Sequence, residues 1–154
     1  MAEKFVCRMA VFVIIRDSSG RILLQQRANT GYLDGYYDLA CSGHVDEGES
    51  IREAAVRELR EELGITARQD DLKLVHINQN FIDVPYTNFT FVLDKWEGEP
   101  SVCEPEKCSD LAYFPLDRLP ERCTLSVRVN EQAGFGPELT YSKVTEKEYH
   151  SFMG

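Results

Sequence analysis

Glu58, Glu61 and Glu62 stand at i, i+3 and i+4, so in a helix all three carboxylates leave from one face. Such an arrangement is unfavourable by itself. Like charges at i and i+4 repel by about 0.2–0.5 kcal/mol, and negative charge in the last turns opposes the helix dipole by roughly 0.3–1 kcal/mol. A bound cation would relieve both, and Mg²⁺ prefers hard oxygen donors of this kind while keeping several of its waters. The plainer alternative is a solvated acidic face balanced by Arg52, Arg57 and Arg60. The helix alone leaves both readings open.

The elements that must position these groups are legible in part. Ser50 with Glu53 has the form of a capping box, Ile51, Ala55, Leu59 and Leu63 make one apolar stripe, and Gly64 suits the left-handed position that ends a helix. Phe5 to Arg16 is apolar and β-branched with few breaks, which predicts a central strand buried on both faces. Asp17-Ser18-Ser19-Gly20 reads as a turn and Arg21 to Arg27 as a returning strand, which predicts a hairpin. Ala28 to Gly35 reads as a loop and Tyr36 to Cys41 as a short strand. Further strands are expected over Leu72 to Ile82, Asn88 to Trp96 and Leu111 to Phe114. From Thr124 onward, Leu125, Val127 and Val129 alternate as in a strand, yet the segment equally suits a helix followed by a loosely packed tail. Strands around one strong helix point to a mixed sheet with helices on its faces.

At 154 residues with 43% hydrophobic content, the chain is expected to form a single domain over 1–154. Seventeen Lys and Arg against 26 Asp and Glu give a net charge of -9, so no broad basic surface is expected for nucleic acid. An acidic chain that handles phosphates needs a few placed cations or a metal. The five cysteines, Cys7, Cys41, Cys103, Cys108 and Cys123, lack zinc spacings and read as reduced thiols. The start at Met1 lacks the pattern of a signal peptide, and no apolar run reaches the roughly 20 residues of a membrane span. A cytoplasmic protein without a membrane partner is the expectation.

The flanking residues decide between the two readings of the acidic helix. Gly43, Glu49, Arg57, Glu58, Leu59, Glu61, Glu62, Gly64 and Ile65 resemble the Nudix box at every fixed position. With residue frequencies near 7% for the polar and Gly positions, a chance match is on the order of 10⁻⁷. The resemblance extends more weakly from Phe5 to Pro120, through Leu23 to Arg27 and Tyr113 to Pro120. It implies an α/β fold: a Nudix-type α/β/α sandwich with a mixed β-sheet and a catalytic loop-helix-loop.

The resemblance further implies hydrolysis of a phosphoanhydride in a nucleoside diphosphate derivative, with Mg²⁺ as cofactor and Mn²⁺ as a substitute. Glu58, Glu61 and Glu62, with the Gly43 carbonyl, would be the metal ligands, and Arg57 would orient the catalytic Glu61 through a bidentate pair. Glu49 would stabilise the loop or bind a second metal. An acidic group often comes from a later loop in this family; the candidates are Glu104 and Glu106, with Glu106 preferred. Arg27 would meet a phosphate, His44 would approach the phosphates from beside Gly43, and Phe81 heads the aromatics available for stacking, with Tyr32, Tyr37 and Phe91 behind it.

Subgroup markers are missing: Asn80 stands where ADP-ribose hydrolases carry proline, and Phe81 near where dinucleoside polyphosphate hydrolases carry tyrosine. Small size, and the Glu104-Pro105-Glu106-Lys107-Cys108 stretch, which resembles that of some nucleotide-triphosphate-cleaning members, tilt the resemblance toward a nucleoside triphosphate pyrophosphatase giving a monophosphate and pyrophosphate. Rivals are an ADP-ribose or other nucleoside-diphosphate hydrolase, an isopentenyl diphosphate isomerase and a non-catalytic nucleotide sensor. A homodimer is compatible with the resemblance, and nothing in the residues specifies one.

Overall fold

The computed structural model describes residues 3–154. Its strands form two sheets. β1 (Arg8–Ile15), β4 (Cys41–His44), β5 (Lys73–Asn80), β6 (Tyr86–Leu93) and β8 (Thr140–Val144) make a mixed sheet in the order β4-β1-β6-β5-β8. β2 (Ile22–Arg27), β3 (Tyr37–Leu39) and β7 (Cys108–Phe114) make an antiparallel sheet in the order β3-β2-β7. The helices are α1 (Ile51–Leu63), α2 (Leu125–Ala133) and α3 (Glu146–Met153).

β1 is apolar on both faces because both faces are covered. Val11, Val13 and Ile15 pack with Phe91, Leu93 and the α1 residues Ala54, Ala55, Leu59 and Leu63. On the other face Ile14 joins Val75, Val92, Val127 and Phe135. Fully burying side chains such as Leu59 and Leu63 stabilises the α1 interface by roughly 1.5–3 kcal/mol each. The layers are therefore α1, sheet, and the α2 side, as the sandwich expectation requires.

The capping box at α1 is complete. The Ser50 side chain accepts from the Glu53 N–H, the Glu53 carboxylate accepts from the Ser50 N–H, and Gly64 closes the other end at φ 69° with its N–H donating to the Arg60 carbonyl.

The expected β1–β2 hairpin does not form. β1 pairs with β4 and, in parallel, with β6, and only an isolated bridge between Arg16 and Ile22 joins it to β2. The Asp17 carboxylate accepts from the Ser19 and Arg21 N–H groups, tying a tight turn that sends β2 into the second sheet. The single strand expected over Tyr36 to Cys41 is also two, since the chain leaves β3 of one sheet at Ala40 and enters β4 of the other. The ambiguous Thr124 segment is helical, with Thr124 extended before α2 and Gly134 left-handed after it at φ 87°. The tail is packed rather than loose: β8 adds to the sheet edge beside β5, and α3 starts at a capping box of Thr145 and Glu148.

Candidate active site

The end of β4 and the acidic face of α1 approach each other closely. A Cβ built on Gly43 would lie 2.1 Å from the Glu58 carboxyl carbon, so only glycine leaves room for that carboxylate where it stands. The Ser42 N–H donates to the Glu62 carboxylate at 3.1 Å. Burial, with the neighbouring Glu58 adding to it, pushes the Glu62 carboxyl up to about 8 against the pull of the Ser42 N–H. Glu61 lies farther out, its side chain 58% exposed.

Arg57 organises the group. Its Nε and Nη2 donate to Glu49 at 2.8 and 3.0 Å, its Nη1 to Glu58 at 2.8 Å and to Glu61 at 3.2 Å, and its Nη2 also to the His44 carbonyl at 3.0 Å. The bidentate partner is thus Glu49, where Glu61 was expected. The reason is reach: the half-buried Arg57 fork meets the half-buried Glu49 squarely, whereas Glu61 on the exposed side takes one contact. The Glu49 carboxylate also accepts from the Asp46 N–H at 3.0 Å, which closes the loop before α1. The Arg57 hydrogen bonds foremost, with that backbone bond, hold the Glu49 carboxyl down at about 2.

The donor set suits a hard divalent cation. Glu58 and Glu62 bring their carboxyl groups together, Glu62 so desolvated that it holds its proton until a cation replaces it, and the Gly43 carbonyl lies on the same strand end. Among the described residues no three His, Cys, Asp or Glu side chains stand close enough together, as they lie, to hold an ion. Arg57 holds Glu58 and Glu61 toward itself, so Glu61 has to turn from Arg57 to join a coordination shell.

Beside Glu62 opens a cavity of about 460 Å³, lined among others by Arg27, Ser42, Glu104 and Lys107. The loop carboxylate on this cavity is Glu104, whose charge also raises Glu62. Glu106 does not line it; its side chain is exposed and its backbone carbonyl accepts from Asn29. The short turn at Pro105–Lys107 aims the two glutamates differently, a distinction that sequence proximity hides.

Arg27 also lines a second cavity of about 370 Å³, on the sheet face away from α1. Its guanidinium donates to the Tyr32 carbonyl and the Thr30 hydroxyl and lies 3.5 Å from Asp38. Phe12, Tyr32, Asn78, Asn88, Ser126 and Tyr149 share this cavity. His44 hydrogen-bonds Tyr86 at 2.9 Å and stacks on it, beside a third cavity that reaches Gly43. Phe81 lines none of these three cavities; its ring sits 6.1 Å from that of Phe5. Phe91 is wholly buried in the core and Tyr37 packs edge-on against Phe114, so neither offers a face for stacking.

Sequence reasoning missed Asp38, Asn78, Asn88 and Ser126. A signal was present in His76, Asn78 and Asn80, polar residues at every second position of a strand that also carries Leu74, Val75 and Ile77.

Comparison with known proteins gives the class. The family model for the NUDIX domain matches residues 7–133, and the chain belongs to that family. A curated relative, 8-oxo-dGTP diphosphatase of Escherichia coli (strain K12), is 32% identical over 87 residues, covering 56% of this chain and 66% of the relative. Isopentenyl-diphosphate Delta-isomerase of Serratia proteamaculans (strain 568) is 48% identical over 59 residues, covering 38% of this chain and 33% of the relative. The chain spans about two thirds or less of the length of these curated relatives. Among solved structures, a MutT NUDIX hydrolase from Burkholderia pseudomallei aligns with a TM-score of 0.75 at 28% identity, covering 84% of this chain and 98% of that one. No helix is long and apolar enough to cross a membrane among the described residues.

Proposed function

We propose that this chain is a Mg²⁺-dependent hydrolase, with Mn²⁺ as a substitute, that converts a nucleoside triphosphate, ordinary or modified, to its monophosphate and pyrophosphate. The observation that carries the reading is the close fit of the Glu58 carboxylate against Gly43, beside Glu62 and the Arg27-lined cavity. The reading is supported by the similarity to 8-oxo-dGTP diphosphatase. We further take the protein as a single domain over 1–154, cytoplasmic, acting on a small nucleotide without a nucleic-acid or membrane partner.

Glu58, Glu61, Glu62 and the Gly43 carbonyl would hold the metal. Bound there, it would supply positive charge to offset the phosphates and lower the pKa of a water. Arg57 fixes the carboxylates from behind and does not face the substrate, since its donors are spent on Glu49, Glu58, Glu61 and the His44 carbonyl. Arg27 stands between the two cavities and places the phosphates in one and the nucleoside in the other. Glu104, facing Glu62 across the first cavity, is the acidic loop group we assign in place of Glu106.

The likeness to isopentenyl-diphosphate isomerase gives a second reading in which the same carboxylates serve proton transfer. The second cavity is lined by the apolar Phe12, Leu33, Ile82 and Val84 as well as by Asp38, Asn78, Asn88 and Ser126, so it accommodates a nucleoside or an isoprenoid tail, and turnover must choose between them. A panel decides: nucleoside triphosphates, oxidised triphosphates, ADP-ribose, dinucleoside polyphosphates and isopentenyl diphosphate, each with Mg²⁺ and with chelator. Chelator-sensitive release of pyrophosphate from a triphosphate is expected. Isomerisation of isopentenyl diphosphate, or binding of nucleotides without turnover, would contradict the proposal.

A further inference from the structure

A chain of polar groups, buried at His76 and Asn78 and half-buried at Thr140, Ser142 and Asn88, runs from the far edge of the large sheet to the second cavity. The bulge in β5 between Leu74 and His76 shifts the strand's register, so His76 pairs across from Thr140 of β8, and Asn78 lies between Ser142 of β8 and Asn88 of β6. Successive contacts are short. Thr140 Oγ1 donates to the Val75 carbonyl at 3.1 Å, His76 Nδ1 meets Thr140 Oγ1 at 2.7 Å, and His76 Nε2 meets Ser142 Oγ at 2.8 Å. Asn78 Nδ2 donates to Ser142 Oγ at 2.9 Å, and Asn88 Nδ2 donates to Asn78 Oδ1 at 3.3 Å.

With Thr140 donating to the Val75 carbonyl, these contacts run in one direction. Burial lowers the pKa of His76, so the imidazole is neutral at pH 7 and carries a single ring proton. Thr140 has spent its proton on the Val75 carbonyl, so Nδ1 must carry the hydrogen and Nε2 must accept from Ser142. Ser142 then has only lone pairs left, which orients the Asn78 amide nitrogen toward it and the Asn78 oxygen toward Asn88. With the other tautomer Thr140 would turn from Val75, and both amides would be free to flip.

We propose that this relay makes Asn88 a specificity-determining residue, holding its side-chain oxygen as a hydrogen-bond acceptor in the nucleoside cavity. His76, Ser142 and Asn78 are positioning residues behind it. The inference rests on the nucleotide-hydrolase reading above. Asp38 offers a second acceptor in the same cavity: its Oδ1 takes bonds from the Leu39 N–H and the Thr124 and Ser126 hydroxyls, while Oδ2 has only the 3.5 Å contact with Arg27. Two acceptors select a base whose edge carries N–H donors. The ligand class is therefore a nucleoside phosphate with an exocyclic amino group, and an oxo group at the same position would meet the Asn88 oxygen lone pair to lone pair.

Two measurements test this. The first is ligand-free: ¹⁵N NMR of the imidazole rings is expected to show His76 as the neutral Nδ1–H tautomer at pH 7. A neutral Nε2–H ring or an imidazolium would overturn the relay. The second compares kcat/KM within the pairs ATP/ITP and CTP/UTP, which exchange an amino for an oxo group. Wild type is expected to favour the amino member of at least one pair by about tenfold, the scale of one well-made hydrogen bond. Ser142→Ala, which lies outside the cavity lining, should bring that ratio below about threefold through KM, and Asn88→Ala, which removes the acceptor itself, should do the same. No preference in wild type, or an equal loss on both members of the pairs in Ser142→Ala, would overturn the assignment. Absence of turnover on every nucleotide would instead remove the hydrolase reading and leave the imidazole spectrum to decide the relay.

Discussion

Gly43→Ala probes the approach of β4 to α1 with a single methyl group. The new Cβ would lie 2.1 Å from the Glu58 carboxyl carbon and 2.2 Å from its Oε1. Contact between such atoms normally begins near 3.5 Å, so the carboxylate must withdraw by more than about 1 Å. Gly43 pairs with Val11 inside the ladder at a backbone conformation open to alanine, so the substitution adds no backbone strain. Loss of the Glu58 contact with Arg57 is offset by the lower chain entropy of alanine when unfolded, about 0.4–1 kcal/mol. Thermal melting should therefore shift by only a few degrees. Activity should not be spared, because displacing a catalytic group by about 1 Å is worth roughly 10²-fold in rate. The assay is kcat/KM for pyrophosphate release at saturating Mg²⁺, alongside the melt. Activity within about threefold of wild type would refute the claim that this approach positions a metal ligand, and so would loss of activity accompanied by unfolding.

Other outcomes follow from the charges around α1. The Glu49 carboxyl, held at about 2, contributes stability that is complete above its ordinary pKa of 4.5 and is lost as pH falls through 2. Glu49→Gln should accordingly be less stable than wild type at pH 7, by about 1–3 kcal/mol for the lost charge-assisted bonds, and the gap should close in acid melts; a gap independent of pH would contradict the assignment. The Glu62 carboxyl, raised to about 8 from 4.5, acts in the opposite sense: the stability it contributes is present below 4.5 and lost as pH rises through 8. In chelator at pH 9, Glu62→Gln should melt at least about 3 °C above wild type, the scale of 1 kcal/mol for a chain of this size, with no such gain at pH 4. Equal melting at both pH values would show that Glu62 is not desolvated as described.

The acidic helix was legible because its signals are local. A capping box, a stripe every four residues and a terminal glycine each act within one or two turns, and all three stand as read. Strand pairing was not, because a short turn between two apolar runs usually closes a hairpin, and only the long-range partners, β4 and β6 for β1 and β3 and β7 for β2, place the two in different sheets. Glu49 was a visible partner for Arg57 from its place in the box, yet the fork geometry that gives it both bonds is tertiary. The wall of the second cavity was hidden for a related reason. Asp38, Asn88 and Ser126 come from three elements far apart in the chain, and Tyr149 from a tail whose pattern suited more than one structure.

The most direct test of the account is divalent-metal binding and turnover measured together on wild type and Glu61→Gln. Mg²⁺-dependent pyrophosphate release should fall by more than about 10²-fold in the variant, with weaker binding of Mn²⁺ followed by electron paramagnetic resonance and an unshifted melt. Full activity in Glu61→Gln, or turnover by wild type that persists in chelator, would contradict the claim that the carboxylates of α1 hold the metal for this reaction.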